Sequence, residues 1–276
     1  MEKSHWYCCA FGGGTAIKLA KKLHERGVRI TGTSADSTNI CKNRDLFDAS
    51  GVVDAKMRIF NLDGSEAGMC GNAIRCIPKY LYDKGIVKKQ RMRIETLSGV
   101  RELYLSTRNG LVSSVKVDMG RAELKPGKIP VRLEGENVIA RPVKIGGEEY
   151  NITCVSMGNP HAVVFVKRVD EVNVRKIGPL FENDALFPER VNAEFVEVMD
   201  RKHLKMRVWE RGSGETMACG TGACAAAVAA VLNGHCDKGA DIRVRLPGGE
   251  LVICYTDETV YMTGDCVKVF DGVVEI

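Results

Sequence analysis

Two cysteines carry the chemical promise of this chain. Cys219 follows an ionic, glycine-rich stretch, Glu210 to Ala218, and precedes an uncharged Ala-rich run that ends at Asn233-Gly234. That run reads as a buried helix with a glycine at its C-terminal end. A thiol at a helix start meets free backbone N–H groups and the positive end of the dipole, so a lowered pKa is expected for it. It would then serve as a base or a nucleophile. A buried structural cysteine is the plain alternative. Cys70 sits in a matching place, with Gly64-Ser65-Glu66 before it and a helix-like run to Gly85 after it. Pro78 lies inside that run and predicts a kink or an irregular first turn.

The two cysteines lie 149 residues apart. Gly99 and Gly248, in the strand pairs that follow, show the same separation. One offset at two places argues for an internal duplication. The fold class expected is α+β, with two pseudo-symmetric halves, each a mostly antiparallel sheet around a central helix. The halves are expected at 1–119 with 267–276, and at 120–266, facing one another across a cleft. Two thiols reaching one tetrahedral carbon from opposite sides can invert it, one removing a proton and the other returning one. Helix N-termini at Gly71, Asn72, Gly220 and Thr221 suit a carboxylate and the charge that develops beside it. Such chemistry requires no cofactor as electron sink.

The remaining elements follow from turn signals at Ser98-Gly99, Asn109-Gly110, Gly146-Gly147 and Gly158-Asn159-Pro160. Strands are expected at 92–96, 101–106, 112–119, 143–145, 150–156, 162–166, 191–199 and 204–209, and four more follow Gly239. Residues 169–179 read as one short helix. Near the N-terminus, His5 to Phe11 reads as a strand, Ala16 to Glu25 as a helix, Val28 to Thr31 as a second strand and 34–50 as loop. Gly12-Gly13-Gly14-Thr15 could line a nucleotide, but its spacing matches neither dinucleotide nor P-loop patterns.

Bulk properties narrow the function classes. Forty basic and 35 acidic residues leave a net charge of +5. The densest basic cluster, Lys84 to Arg93, reads as a solvated face, so no nucleic-acid partner is expected. No apolar run is long enough for a bilayer, and the first residues show no secretory pattern. With eleven cysteines, the expectation is a cytoplasmic protein with reduced thiols. Cysteine spacing offers no metal site. A homodimer is compatible with the sequence.

The segments Asn61 to Asn72 and Glu210 to Gly222 resemble the two signatures of the diaminopimelate epimerase family. Gly158-Asn159-Pro160-His161 and Phe187 to Asn192 resemble further family segments, in the same order. The resemblance implies an isomerase that converts LL- to meso-diaminopimelate, with Cys70 and Cys219 as the acid/base pair. It implies that Gly71, Asn72, Gly220 and Thr221 hold the reacting amino-acid end. It also implies that Asn61, Asn159, Asn192, Glu210 and Arg211 hold the distal end, where Arg suits a carboxylate and Glu an ammonium. The family's opening Gly-x-Gly-Asn-Asp-Phe corresponds here to Gly12 to Ile17, which has neither Asn nor Asp. A related two-cysteine racemase of histidine or proline type, an amino-acid-binding homologue, and a redox pair are the other readings.

Overall fold

The computed structural model describes residues 3–10, 37–38, 53–60 and 66–275. The expected turn at Gly12 to Thr15, the helix and strand after it, most of the 34–50 loop and Asn61 lie outside these residues. The described elements, in order, are β1 (Lys3–Ala10), β2 (Ser37–Thr38), β3 (Ala55–Lys56), β4 (Ile59–Phe60), β5 (Glu66–Ala67) and α1 (Ala73–Asp83). Then come β6 (Arg91–Thr96), β7 (Gly99–Arg108), β8 (Leu111–Asp118), β9 (Arg141–Ile145), β10 (Glu148–Ser156), β11 (Pro160–Phe165) and α2 (Val174–Glu182). Last are β12 (Asn192–Asp200), β13 (His203–Glu210), β14 (Gly214–Thr216), α3 (Gly220–Leu232), β15 (Asp241–Leu246), β16 (Gly249–Tyr255), β17 (Val260–Asp265) and β18 (Val267–Glu275). The chain is α+β, as expected. It divides into one unit of residues 1–117 with 263–276 and another of 118–262.

In the first unit, β3 pairs parallel to β6, while β6, β7 and β8 form an antiparallel meander. β1 pairs with β18, and β2, β4 and β5 form a small antiparallel sheet. Ser37–Thr38, read as loop, is thus a strand. Helix α1 packs on β1 and β7 and runs on across Pro78. Its C-terminal end is fixed by a buried ion pair. Lys79 Nζ donates to Asp83 Oδ2 at 2.7 Å and to the Val112 carbonyl at 2.6 Å, and Val112 N–H donates to Asp83 Oδ1 at 2.9 Å. Every polar atom in this trio thus has a partner, the condition for tolerating buried charge. The basic segment after α1 is exposed along most of its length, as expected of a solvated face.

In the second unit, β9, β10 and β11 are antiparallel, β11 and β12 parallel, β12 and β13 antiparallel, β13 and β15 parallel, and β15 and β16 antiparallel. One face carries an apolar core of Ile129, Val138, Ala162, Val164, Phe181, Ala193 and Phe195. Phe181 stands edge-on to Tyr150 and Phe195, the geometry aromatic pairs favour. Helix α3 packs on strands β10 to β13, β15 and β16. Its residues from Gly220 to Ala230 are all buried. Small side chains let this helix lie close to the sheet, and the absence of charge removes any desolvation penalty. The expected helix at 169–179 is instead two pieces. A 3-10 turn spans Val169–Glu171, Val172 is extended, and Asn173 caps α2 by accepting from Lys176 N–H.

The duplication is visible residue by residue. Ala55 pairs with Ile94 in the first unit, and Leu204 pairs with Val244 in the second. Ile59 pairs with Ala67, and Val208 with Thr216. The helices end alike, at Gly85 (φ 73°) and Gly234 (φ 74°). From Ala55 to Gly85 the offset is 149 throughout. The hairpins after the helices turn at Thr96–Gly99 and Leu246–Gly249. The partner of Gly99 is therefore Gly249, not Gly248, and the offset there is 150. One extra residue lies between α3 and β15. Ser98 N–H donates to the Gly68 carbonyl at 3.1 Å, and Gly248 N–H to the Met217 carbonyl at 2.7 Å. In each unit the hairpin turn thus holds the residue two before the cysteine. A Cβ on Gly248 would come within 2.9 Å of that Met217 oxygen, so this position takes glycine.

Candidate active site

Each cysteine makes the same pair of hydrogen bonds to the start of the helix that follows, although only Cys219 is itself the N-cap, Asn72 holding that place in α1. The Cys219 carbonyl accepts from Ala223 N–H at 3.0 Å, and its Sγ accepts from Gly222 N–H at 3.4 Å. The Cys70 carbonyl accepts from Ile74 N–H at 3.0 Å, and its Sγ from Ala73 N–H at 3.5 Å. Sulfur here takes the place of the oxygen of a Ser or Asp cap. Both pairs keep the offset of 149. The surroundings differ. Cys70 is half-buried and Cys219 only 5% exposed. Gly71 is buried, and its carbonyl accepts from the buried Arg75 guanidinium at 2.8 Å. Asn72 has a buried Oδ1 with no hydrogen-bond partner, so that acceptor is open.

The expected low pKa of Cys219 is not found. Burial pushes its thiol well above the ordinary value, and the charges of Glu210 and Glu194 add to the effect. The Thr221 hydroxyl, 3.5 Å from Sγ, and the Gly222 N–H pull the other way and lose. Loss of water around sulfur and two carboxylates outweigh one weak N–H bond and a helix dipole. Glu210 is itself raised by burial, against its contacts with the Thr216 hydroxyl and the Cys219 thiol. The carboxyl of Glu210 thus lies beside the thiol.

A chain of polar side chains runs back from Thr221. Asn159 Nδ2 donates to Thr221 Oγ1 at 3.3 Å, and Asn159 Oδ1 faces His161 Nε2 at 3.0 Å. His161 Nδ1 meets Glu194 Oε1 at 2.7 Å, both side chains being fully buried. The register His161↔Asn192 on β11 and β12 puts His161 and Glu194 on the face opposite Ala162, Ala193 and Phe195. His161 and Glu194 were not among the expected site residues. The one signal for Glu194 is a carboxylate set between Ala193 and Phe195 in the apolar half of its strand, a position that charge seldom occupies without a partner.

Asn192 and Arg211 are joined. Asn192 is buried; its Oδ1 accepts from Arg211 N–H at 2.9 Å and its Nδ2 donates to the Pro160 carbonyl at 2.9 Å. Both ends of its carboxamide are engaged within the protein. The Arg211 guanidinium donates to the Glu189 carbonyl at 2.8 Å. Gly212 N–H donates to Glu182 Oε1 at 2.8 Å, and Trp209 Nε1 to Glu182 Oε2 at 2.6 Å. Glu182 on α2 thereby anchors the turn that presents Glu210 and Arg211. Asn192→Ala is expected to lower stability by about 1–3 kcal/mol, because one buried and one partly buried backbone group lose their partners. Urea unfolding would measure it, with a loss under 0.5 kcal/mol as the contrary result.

Within the second unit, then, Asn159, Asn192, Glu210, Arg211, Cys219, Gly220 and Thr221 belong to one connected region. Cys70, Gly71 and Asn72 form the helix start of the first unit. Among the described residues no group of three or more His, Cys, Asp and Glu is arranged to hold a metal ion. No described helix is long and apolar enough to cross a membrane.

Known proteins resemble this chain in sequence and in fold. The chain is 56% identical over 225 residues to the diaminopimelate epimerase of Acetivibrio thermocellus, covering 81% of this chain and 80% of that one. It is 51% identical over 231 residues to the diaminopimelate epimerase of Desulfovibrio desulfuricans, covering 81% and 80%. Solved structures share the fold. A hydroxyproline epimerase from Agrobacterium vitis with bound trans-4-hydroxy-L-proline has a TM-score of 0.63 at 16% identity, over 87% of this chain and 74% of that one. A phenazine biosynthesis protein of the PhzF family from Bacillus anthracis has a TM-score of 0.66 at 15% identity, over the full length of both. The family model for diaminopimelate epimerase matches residues 18–125 and 153–269, a span that takes in both cysteine-capped helices, and the chain belongs to that family.

Proposed function

We propose that this protein inverts the α-carbon of LL-2,6-diaminopimelate to give the meso isomer, using Cys70 and Cys219 as its two acid/base groups. The observation that carries the reading is the duplicated thiol cap, in a chain 56% identical to a diaminopimelate epimerase. In each direction one sulfur begins as thiolate and the other as thiol. The thiolate takes the α-proton; the C–H bond breaks and an S–H bond forms. The electron pair left on carbon takes a proton from the other thiol, which ends as the thiolate.

The helix N-terminal N–H groups near Gly71, Asn72, Gly220 and Thr221 hold the α-carboxylate and the charge spread into it. Asn61, Asn159, Glu210 and Arg211 take the distal end, the guanidinium pairing with its carboxylate. Asn192 serves by fixing the main chain of Arg211 and by lining the same end. Reduced thiols are required throughout, which favours a cytoplasmic protein; sedimentation would show whether it is a homodimer.

Incubation of the reduced protein with diaminopimelate in heavy water, without added cofactor, is expected to place deuterium at Cα. No exchange by folded, reduced protein would overturn the reading. Exchange into histidine or proline in preference would reassign the substrate.

A further inference from the structure

Glu194 has a role beyond filling the sheet. Its side chain is fully buried, one oxygen bonds His161, and Oε2 has no hydrogen-bond partner. A buried carboxylate left half satisfied is unfavourable for folding. The first turn of α3 lies against it: a Cβ added to Gly222 would come 2.8 Å from Glu194 Oε1 and 3.2 Å from Cys219 Sγ. Glycine at 222 is what lets the carboxylate lie so near the thiol.

The hydrogen bonds have a direction. Asn159 gives an N–H to Thr221 Oγ1, so its carbonyl is turned to the ring and His161 Nε2 carries a hydrogen. Thr221, already accepting from Asn159, is free to give its own O–H to Cys219 Sγ, 3.5 Å away. The titratable groups around Glu194 come from four elements: Cys154 on β10, His161 on β11, Glu210 on β13 and Cys219 capping α3.

We propose that Glu194 is a positioning residue of the Cys219 half-site: through His161 it fixes the Asn159 carboxamide and so the hydroxyl that faces the thiol. The inference rests on the epimerase reading for its link to turnover; its effect on the thiol does not depend on that reading. The charge of Glu194 raises both Cys219 and Glu210. Removing it therefore moves the ionisation of both groups to lower pH.

Glu194→Gln keeps the shape and removes the charge. The thiolate absorbance of Cys219, taken as the difference from the same protein carrying Cys219→Ala, is expected to appear about one pH unit lower than in the wild type. The limb of kcat/KM that follows this thiol should move in the same direction. A folded Glu194→Gln protein whose Cys219 titrates at the wild-type pH would overturn the proposal. Glu194→Asp is the second variant. It keeps the charge but draws it back from His161, so KM for diaminopimelate should rise roughly tenfold with the pH limb in place, as expected for a lost orienting contact. An unchanged KM would overturn the positioning role. Should the wild-type protein fail to exchange diaminopimelate, the substrate reading falls, while the thiol titration still decides the question of Glu194.

Discussion

Cys219→Ala and Cys70→Ala are each expected to lower epimerisation of diaminopimelate by about a thousandfold or more. The size follows from the chemistry. In the proposed reaction each thiol would be the sole proton carrier for one face of the carbon, and a positioned acid or base contributes roughly 10²–10⁴-fold. The two losses will not add, because either one alone leaves the inversion incomplete. Coupled optical assays in both directions, with purified single variants, measure this. Turnover within tenfold of wild type in either variant would remove the two-base assignment. The folded state of the variants is not in doubt on packing grounds. Alanine keeps the Cβ, and only a weak sulfur acceptor is lost from a cap whose main-chain bond, Ala223 N–H to the Cys219 carbonyl, stays.

The second large effect concerns stability. Gly178 lies within α2, where glycine is unfavourable by about 1 kcal/mol relative to alanine. Gly178→Ala might therefore be taken for a stabilising change. The contacts argue otherwise. An added Cβ would come 2.4 Å from Trp209 Cγ, 2.5 Å from Cδ2 and 2.7 Å from Cβ. These are the stem and fused edge of the indole, not the end of a flexible chain. The ring has no easy retreat, since its Nε1 is bonded to Glu182 on the same helix at 2.6 Å. Overpacking of this kind is unfavourable by about 1–3 kcal/mol, or more where the neighbour is fixed. The clash thus exceeds the helical gain. Urea unfolding should show a net loss of roughly 1–3 kcal/mol, and a gain in stability would refute the argument. The same shift of Trp209 would disturb Glu210, the next residue, so activity should fall along with stability.

Much of this architecture was legible in advance because its signals are local. Glycine pairs marked the hairpins, and a charge-free Ala-rich run marked the helix that is buried all round. The duplicated cysteines could be matched by counting. Counting also misplaced one hairpin, since a single inserted residue after α3 changes 149 to 150 and only the pairing of Leu246 with Gly249 reveals it. The helix at 169–179 was misread because the apolar spacing runs on through a break. Asn173 as a cap and Val172 in extended form divide it, and neither interrupts the periodicity. The thiol of Cys219 was misjudged for a different reason. A helix start is a local property, whereas burial and two carboxylates from β12 and β13 arise only on folding. His161 and Glu194 are 33 residues apart and meet through a parallel strand pair, whose register no sequence pattern specifies.

The two thiol caps have one further consequence. Their main-chain frames are copies, but their charges are not. Position 75 in the first helix is an arginine, whose guanidinium holds the carbonyl next to Cys70; the matching position in the second helix is Cys224. Two carboxylates crowd the second thiol instead. A gene doubling would begin with two equal sulfurs, and equal sulfurs give a resting enzyme with no preferred hand. Under the proposed reaction, unequal ones would bias which isomer the empty protein is poised to accept. Substrate handedness at rest would then be written in the side chains that differ between the repeats, while the shared backbone sets only where the protons travel.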